Sequence, residues 1–171
     1  MEKLDLSVTD LVQTLAIEIL KHQSHLEDIV FIGIVTRGYP IAQRIAAIIK
    51  KNKGIEIPVG KIDITLYRDD LELSKSSLKL KETSIPVSID NKVVILMDDV
   101  LNSGRTVRAA LDHVLDYGRP KLVRLAVLID RGHRELPICA DYAAKTIPTE
   151  WDQTIKVSLT ESDGKDSIEQ S

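Results

Sequence analysis

Residues 94–106 read VILMDDVLNSGRT. With Val93 they begin as an apolar run, which suits a strand buried on both faces of a parallel sheet. Asp98 and Asp99 follow at once. A short turn, Leu101-Asn102-Ser103-Gly104, then leads into helical spacing over residues 105–117, stopped by Gly118. A strand that feeds a turn and a helix is half of a parallel βαβ unit. Adjacent carboxylates repel each other, and burying either without a partner is costly, so a site that uses them must supply a cation or a set of hydroxyls. The free N–H groups and positive dipole end of the next helix favour a phosphate. Ser103 and Thr106 add hydroxyl donors, and Gly104 lets the backbone close on a ligand. The bland alternative is that the two acids merely open a loop and cap the helix. Strand, both acids, Ser-Gly turn and Thr106 in that order favour the ligand site. The other common phosphate motifs, GxxxxGK[ST] and GxGxxG, are absent among the eight glycines.

The same alternation extends outward in both directions. Ser7 and Asp10 form a capping-box variant ahead of Val8, Leu11, Val12, Leu15, Ile19 and Leu20, which predicts an amphipathic helix over residues 7–23. Residues 29–35, IVFIGIV, read as a second buried strand. Thr36-Arg37-Gly38-Tyr39-Pro40 interrupts it, and helical spacing resumes over 41–52 until Gly54. Residues 59–67 alternate, with Ile62, Ile64 and Leu66 expected on one face. From 68 to 92 the pattern dissolves into a charged, Ser- and Lys-rich stretch, with short strand-like pieces near 78–80 and 86–89, which predicts a flexible functional loop. Residues 122–129 read as a further buried strand and 155–160 as a short last one, before a polar, frayed tail at 161–171. Strands alternating with helices imply an α/β fold with a mainly parallel central sheet flanked by helices, in a single domain over 1–171. Ligands of such sheets bind at the carboxyl ends of strands, so the loops after Val35, Met97 and Ile129 are expected to carry the chemistry.

Composition narrows the classes. With 43% hydrophobic and 29% charged residues, the 171-residue chain is neither disordered nor fibrous. No apolar run reaches the roughly 20 residues of a membrane-spanning helix, and the N-terminus lacks a secretory pattern. The single cysteine, Cys139, excludes an internal disulfide and points to a reducing cytoplasm; it is expected as a packed thiol. Trp151 is expected in packing or an interface. The net charge of −3 lacks the basic excess typical of proteins dedicated to nucleic acid.

The segment VILMDDVLNSGRT resembles the signature by which type I phosphoribosyltransferases bind phosphoribosyl pyrophosphate (PRPP). With GIVTRGYPIAQRIA (33–46), GKIDITLYRDDL (60–71) and GRTVRAALDHVLDYGRPKLVRLAVLIDRGHRELPICADY (104–142), the chain resembles the family of bifunctional pyrimidine-operon regulators and uracil phosphoribosyltransferases called PyrR. DITLYRDD and LAVLIDRGHRELPI discriminate it from purine and orotate enzymes of the same fold. The resemblance implies the type I phosphoribosyltransferase fold, with a small hood and a flexible loop. It implies that Asp98 and Asp99 hold the ribose hydroxyls, directly or through Mg²⁺, and that Asn102, Ser103, Gly104, Arg105 and Thr106 cradle the 5′-phosphate. Thr36, Arg37 and Gly38 would meet the pyrophosphate. Arg68 would act from the mobile loop, and Asp130 and Arg131 in the hood would meet uracil. His133 is assigned no chemistry.

The family also binds a pyrimidine-operon leader mRNA in response to UMP or UTP, so that transcription terminates. Here the chain departs from the family. Its first helix carries Gln13, Thr14 and Ile17 where the family commonly has Thr, Arg and His, and Cys139 replaces a common Arg, while Arg134 and Lys145 match. Two readings therefore stand: a bifunctional enzyme and RNA-binding attenuator, or a uracil phosphoribosyltransferase with weakened or lost RNA binding. A purine-salvage enzyme of the same fold is a third. Asn102 and Ser103 stand where the family more often has Tyr and Thr, which leaves catalytic strength open. The family's habit implies a homodimer or higher homo-oligomer.

Overall fold

A computed structural model describes residues 2–67 and 82–171; Arg68 and the predicted strand piece at 78–80 lie outside them. The chain opens with a two-residue strand, β1 (Glu2–Lys3), and α1 (Val8–His22), whose N-cap is Ser7, its hydroxyl accepting from the Asp10 N–H. Every residue of β2 (Ile29–Ile34) is buried, as its unbroken apolar run requires. Then come α2 (Gly38–Lys53), ended by Gly54 in the left-handed region, and β3 (Val59–Ile62). The next four elements are β4 (Val93–Leu101), α3 (Arg105–Leu115), β5 (Leu122–Asp130) and β6 (Tyr142–Thr146). The chain closes with β7 (Ile155–Ser158), the turn-long α4 (Thr160–Asp163) and β8 (Ser167–Gln170).

The central sheet has the order β3-β2-β4-β5-β6 with all neighbours parallel. Side chains of β4 alternate between two cores. Ile95 and Met97 pack with α1, α2, β7 and β8, and Val94 and Leu96 pack with the α3 residues Val107, Ala110 and Val114. This is the layered α/β arrangement of a doubly wound sheet. Its switch point lies between β2 and β4, where the chain leaves one strand toward β3 and the other toward β5.

Several expectations change. The acid pair lies within β4, which runs on to Leu101, and α2 starts at Gly38 rather than 41. Glycines explain the early start. A Cβ on Gly38 would stand 2.1 Å from the Met97 carbonyl oxygen, and one on Gly33 2.2 Å from the Tyr39 Cα. The first turn of α2 therefore rests directly on the ends of β2 and β4.

β3 stops at Ile62. The Asp63 carboxylate accepts from the N–H and hydroxyl of Thr65, which turns the chain into a 3-10 turn and leaves Leu66 69% exposed, off the face of Ile62 and Ile64. Residues 82–92 of the predicted loop are tied down at points, though most of them are exposed. Ser84 bridges to Lys61, the Asp63 N–H donates to the Thr83 hydroxyl, and Ile89 is buried, although no strand forms at 86–89.

The tail is not frayed. β8 lies between β1 and β7 in a small antiparallel sheet, with Ile168 fully buried. Finally, Cys139 is exposed rather than packed, on a segment at the surface end of the hood.

Candidate active site

Asp98 and Asp99 stand near the carboxyl end of β4, beside the switch point. Asp98 is 8% exposed; its carboxylate accepts from the Asp99 N–H at 2.9 Å, and the Asp99 carboxylate accepts from the Val100 N–H at 2.9 Å. Burial pushes the Asp98 carboxyl well up from the usual range, and the Asp99 charge adds to it. Burial raises Asp99 too, opposed by the hydrogen bond with Asp98 and by the Arg37 charge across the switch point. The pair is thus short of positive charge, and a cation or several hydroxyls would relieve it.

Two helix N-termini face this edge. α2 begins at Gly38 with Arg37 as N-cap, and α3 begins at Arg105 with Gly104 as N-cap at φ +92°; neither cap supplies a side-chain bond. Among the described residues, no side chain caps their first-turn N–H groups, apart from that of Arg105, which reaches the Ser103 hydroxyl at 3.3 Å, and this suits an anion. Asn102 and Thr106 are exposed beside Gly104. Thr36 follows β2 directly, across a cis Val35–Thr36 peptide. The Arg37 guanidinium pairs with Asp163, Nε to Oδ2 at 3.1 Å and Nη2 to Oδ1 at 2.9 Å. Sequence reading missed Asp163 altogether. Its signal, a single acid in a polar stretch, is indistinguishable from a solvated charge.

The hood follows β5. Asp130 accepts from the Gly132 N–H at 3.0 Å and from Arg134 Nη2. Arg134 also donates to the carbonyls of Ile138 at 2.8 Å, Asn102 at 3.0 Å and Gly132 at 3.0 Å, so its guanidinium pins the hood to the turn after β4. The Ser103 carbonyl accepts from the N–H groups of Glu135 and Leu136, and Arg105 pairs with Glu135 at 2.6 Å. Arg131 is 7% exposed and its Nε has no partner among the described residues. A buried donor left so costs about 1–3 kcal/mol, which an acceptor on a ligand would recover. His133 bonds through Nε2 to the Thr149 carbonyl and rests its ring against the exposed Trp151, centroids 4.4 Å apart.

The profile of the Phosphoribosyl transferase domain family matches residues 6–158. A curated protein of Clostridium perfringens, called Bifunctional protein PyrR, is 52% identical over 152 residues, covering 89% of this chain and 85% of that protein. Proteins of the same name from Chloroflexus aurantiacus (52%, 90% and 85% covered) and Enterococcus faecalis (53%, 88% and 84% covered) agree. The chain belongs to the PyrR family of phosphoribosyltransferases.

The fold has solved counterparts. A hypoxanthine-guanine phosphoribosyltransferase of Bacillus anthracis superposes with a TM-score of 0.66 at 23% identity, 98% of each chain covered. A hypoxanthine phosphoribosyltransferase of Trypanosoma cruzi does so with 0.65 at 15% identity, 90% of this chain and 85% of that one covered. At such identities the likeness shows the fold alone.

Gln13, Thr14 and Ile17, expected to depart from the family, lie exposed on one outward face of α1, Ile17 at 53%. Lys145 is exposed on β6, where it pairs in register with Ile129, while Arg134 is engaged inside the hood. Among the described residues no three His, Cys, Asp or Glu gather to hold a metal, and no helix is long and apolar enough to cross a membrane. Two adjacent carboxylates without a third protein ligand fit a hard cation whose shell phosphates and waters complete, as Mg²⁺ prefers.

Proposed function

We infer that the chain transfers the ribose 5-phosphate of PRPP to N1 of uracil, and that it binds a pyrimidine-operon leader RNA in response to UMP or UTP. One observation carries the enzymatic half: an acid pair, Asp98 buried and Asp99 partly so, at the switch point of a parallel sheet, flanked by two helix N-termini with no side-chain caps. The membership of the PyrR family, through relatives called bifunctional, supports the regulatory half.

The residues divide the work as follows. The N-terminus of α3, with Asn102, Ser103, Gly104, Arg105 and Thr106, takes the 5′-phosphate. Thr36, Arg37 and Gly38 at the start of α2 take the pyrophosphate. Asp98 and Asp99 hold the ribose 2′- and 3′-hydroxyls, and their negative charge favours the oxocarbenium character that grows at C1 as the C1–O bond to pyrophosphate breaks. The C1–N bond to uracil then forms, and the pair offers an acceptor for the N1 proton. Mg²⁺, when bound by PRPP and the acid pair, neutralises the pyrophosphate charge. Arg131, with its buried and unpartnered Nε, and Asp130, at the end of β5, meet the base. Arg68 is proposed to act from the segment beyond Tyr67. The setting is proposed to be the cytoplasm and the assembly a homodimer or larger, which sizing in solution tests.

UMP formation from uracil and PRPP tests the enzyme, with hypoxanthine as the rival base. A preference for hypoxanthine, or no UMP, overturns the assignment. A gel-shift titration with leader RNA, with and without UMP, tests the regulator. The outward face of α1, lacking cations at Gln13, Thr14 and Ile17, together with the committed Arg134, favours a second reading in which RNA binding is weak. A shift that UMP strengthens rejects that reading.

A further inference from the structure

Among the described residues, the Arg37 charge acts on both acids across the switch point, and Arg37 does not stand free. Its partner comes from 126 residues further along the chain, in a segment with no place in the reaction derived above. Asp163 grips one edge of the guanidinium through Nε and Nη2, and Nη1 has no partner among the described residues.

The base on which Asp163 stands is itself braced. Its Oδ2 accepts from the Leu159 N–H at 2.9 Å, and α4 closes on Gly164 in the left-handed region. Next to it, Arg44 of α2 makes double contacts with Glu161 (2.8 and 2.6 Å) and with Asp166 (2.7 and 2.9 Å). These hold the C-terminal segment on α2 independently of Arg37. The side chains of Arg37 and Asp163 are 29% and 23% exposed, so water screens the pair in part only. The Arg37 guanidinium holds the Asp163 carboxyl below the usual range, which keeps it ionised through the neutral range.

We propose that Asp163 is a positioning residue for the transfer reaction, fixing Arg37 by one edge so that its Nη1 donors stay available at the start of α2 for the departing pyrophosphate. This rests on the assignment of Arg37 to pyrophosphate. An arginine carries large rotamer freedom, and ordering it before the ligand arrives removes that cost from binding. The fork geometry allows it: five donors let one edge hold a carboxylate while the other meets a phosphate.

The test compares Asp163→Asn, Asp163→Glu and Glu161→Gln in the full chain. Asp163→Asn is expected to raise the KM for PRPP about tenfold, with kcat at saturating PRPP within about twofold of wild type. Asp163→Glu recovers part of the loss. Glu161→Gln leaves the KM unchanged, because Arg44 keeps Asp166. Calorimetric titration with pyrophosphate and Mg²⁺ reads the same contact without turnover and is expected to weaken in parallel. An unchanged KM and unchanged pyrophosphate affinity in Asp163→Asn overturn the proposal. So does a lowered KM, which makes Asp163 a competitor, or an equal loss in Glu161→Gln, which makes the effect general loosening. Wild type that forms no UMP but binds pyrophosphate through Asp163 overturns the assigned reaction alone. Wild type that does neither overturns both. Should Asp163→Asn melt early, Asp163→Glu decides: no KM rise overturns the proposal.

Discussion

The turn after β4 and the hood after β5 sit at the same edge of the same sheet, yet they treat their polar groups in opposite ways. Around residues 98–106 the groups are left wanting. Asp98 is buried and Asp99 partly so, each with a backbone N–H partner, Gly104 caps α3 without a side chain, and Thr106 is exposed to solvent. In the hood, Arg134 bonds to four different partners, Asp130 to two, and the Ser103 carbonyl to two hood N–H groups. The contrast separates two kinds of loop. A loop that binds a ligand keeps unmet donors and strained charge, which the ligand repairs. A loop that shapes a site satisfies itself, because its job is to hold still. Arg131 is the exception inside the hood, and its orphaned Nε is what nominates it for the base.

That contrast can be broken by experiment. Asp99→Asn is expected to lower kcat by about 10²–10³-fold with the melting temperature preserved; near-normal turnover would remove the acid pair from the reaction. Arg134→Ala should do the reverse. It removes one of the two donors of Asp130 and the donor of three carbonyls, so about 2–3 kcal/mol of stability is lost, read as a fall of several degrees in Tm. A Tm unchanged in that variant would show the hood is not self-supporting.

Thr106→Val is expected to weaken PRPP binding by about 1.5–3 kcal/mol, a hydrogen bond to a charged group, with no change in Tm. Calorimetry with PRPP checks it, and an undiminished affinity counts against the cradle. The smallest effect carries an unusual sign. Burial raises the Asp98 carboxyl, so the folded chain binds more protons there than the unfolded one, and stability at that position falls as pH rises from the ordinary carboxylate range through the raised folded value. Asp98→Asn is then expected to raise Tm at neutral pH by about 2–4 °C, what about 1 kcal/mol gives in a chain of this size. The gain should fade on approach to pH ~4, where the unfolded carboxyl protonates. A stabilisation that persists unchanged at low pH would mean that packing, not charge, is responsible.

Much of this was legible in the sequence because its physics is local. Residues 29–35 and 93–97 are apolar throughout and rich in β-branched residues, and a run of that kind has few homes other than the middle of a parallel sheet. Ser7 announces the start of α1 through a contact three residues away, and Gly54 its end for α2 through a left-handed turn. The motif from Asp98 to Thr106 is contiguous, so resemblance to a family could find it whole. The losses were of another sort. β8 carries one buried apolar residue, Ile168, too little for any periodicity to register. Residues 82–92 have no pattern of their own, and are ordered by Lys61 and Asp63 across from them. Leu66 follows the alternation of its neighbours and is exposed, because the Asp63 carboxylate ends the strand first.

By itself the sequence determined the alternation of strands and helices, the edge of the sheet that holds the chemistry and the residue types that would meet a phosphorylated sugar. Each follows from neighbours within a turn or a strand. Tertiary structure alone decided which charges meet. Whether Arg134 faces solvent or the hood, whether Asp130 is free or held, and that Arg37 rests on Asp163, all depend on segments brought together by burial of apolar faces in the two cores. A charged side chain reveals nothing about its partner in its own sequence, since the partner is chosen by the packing of residues that carry no charge at all.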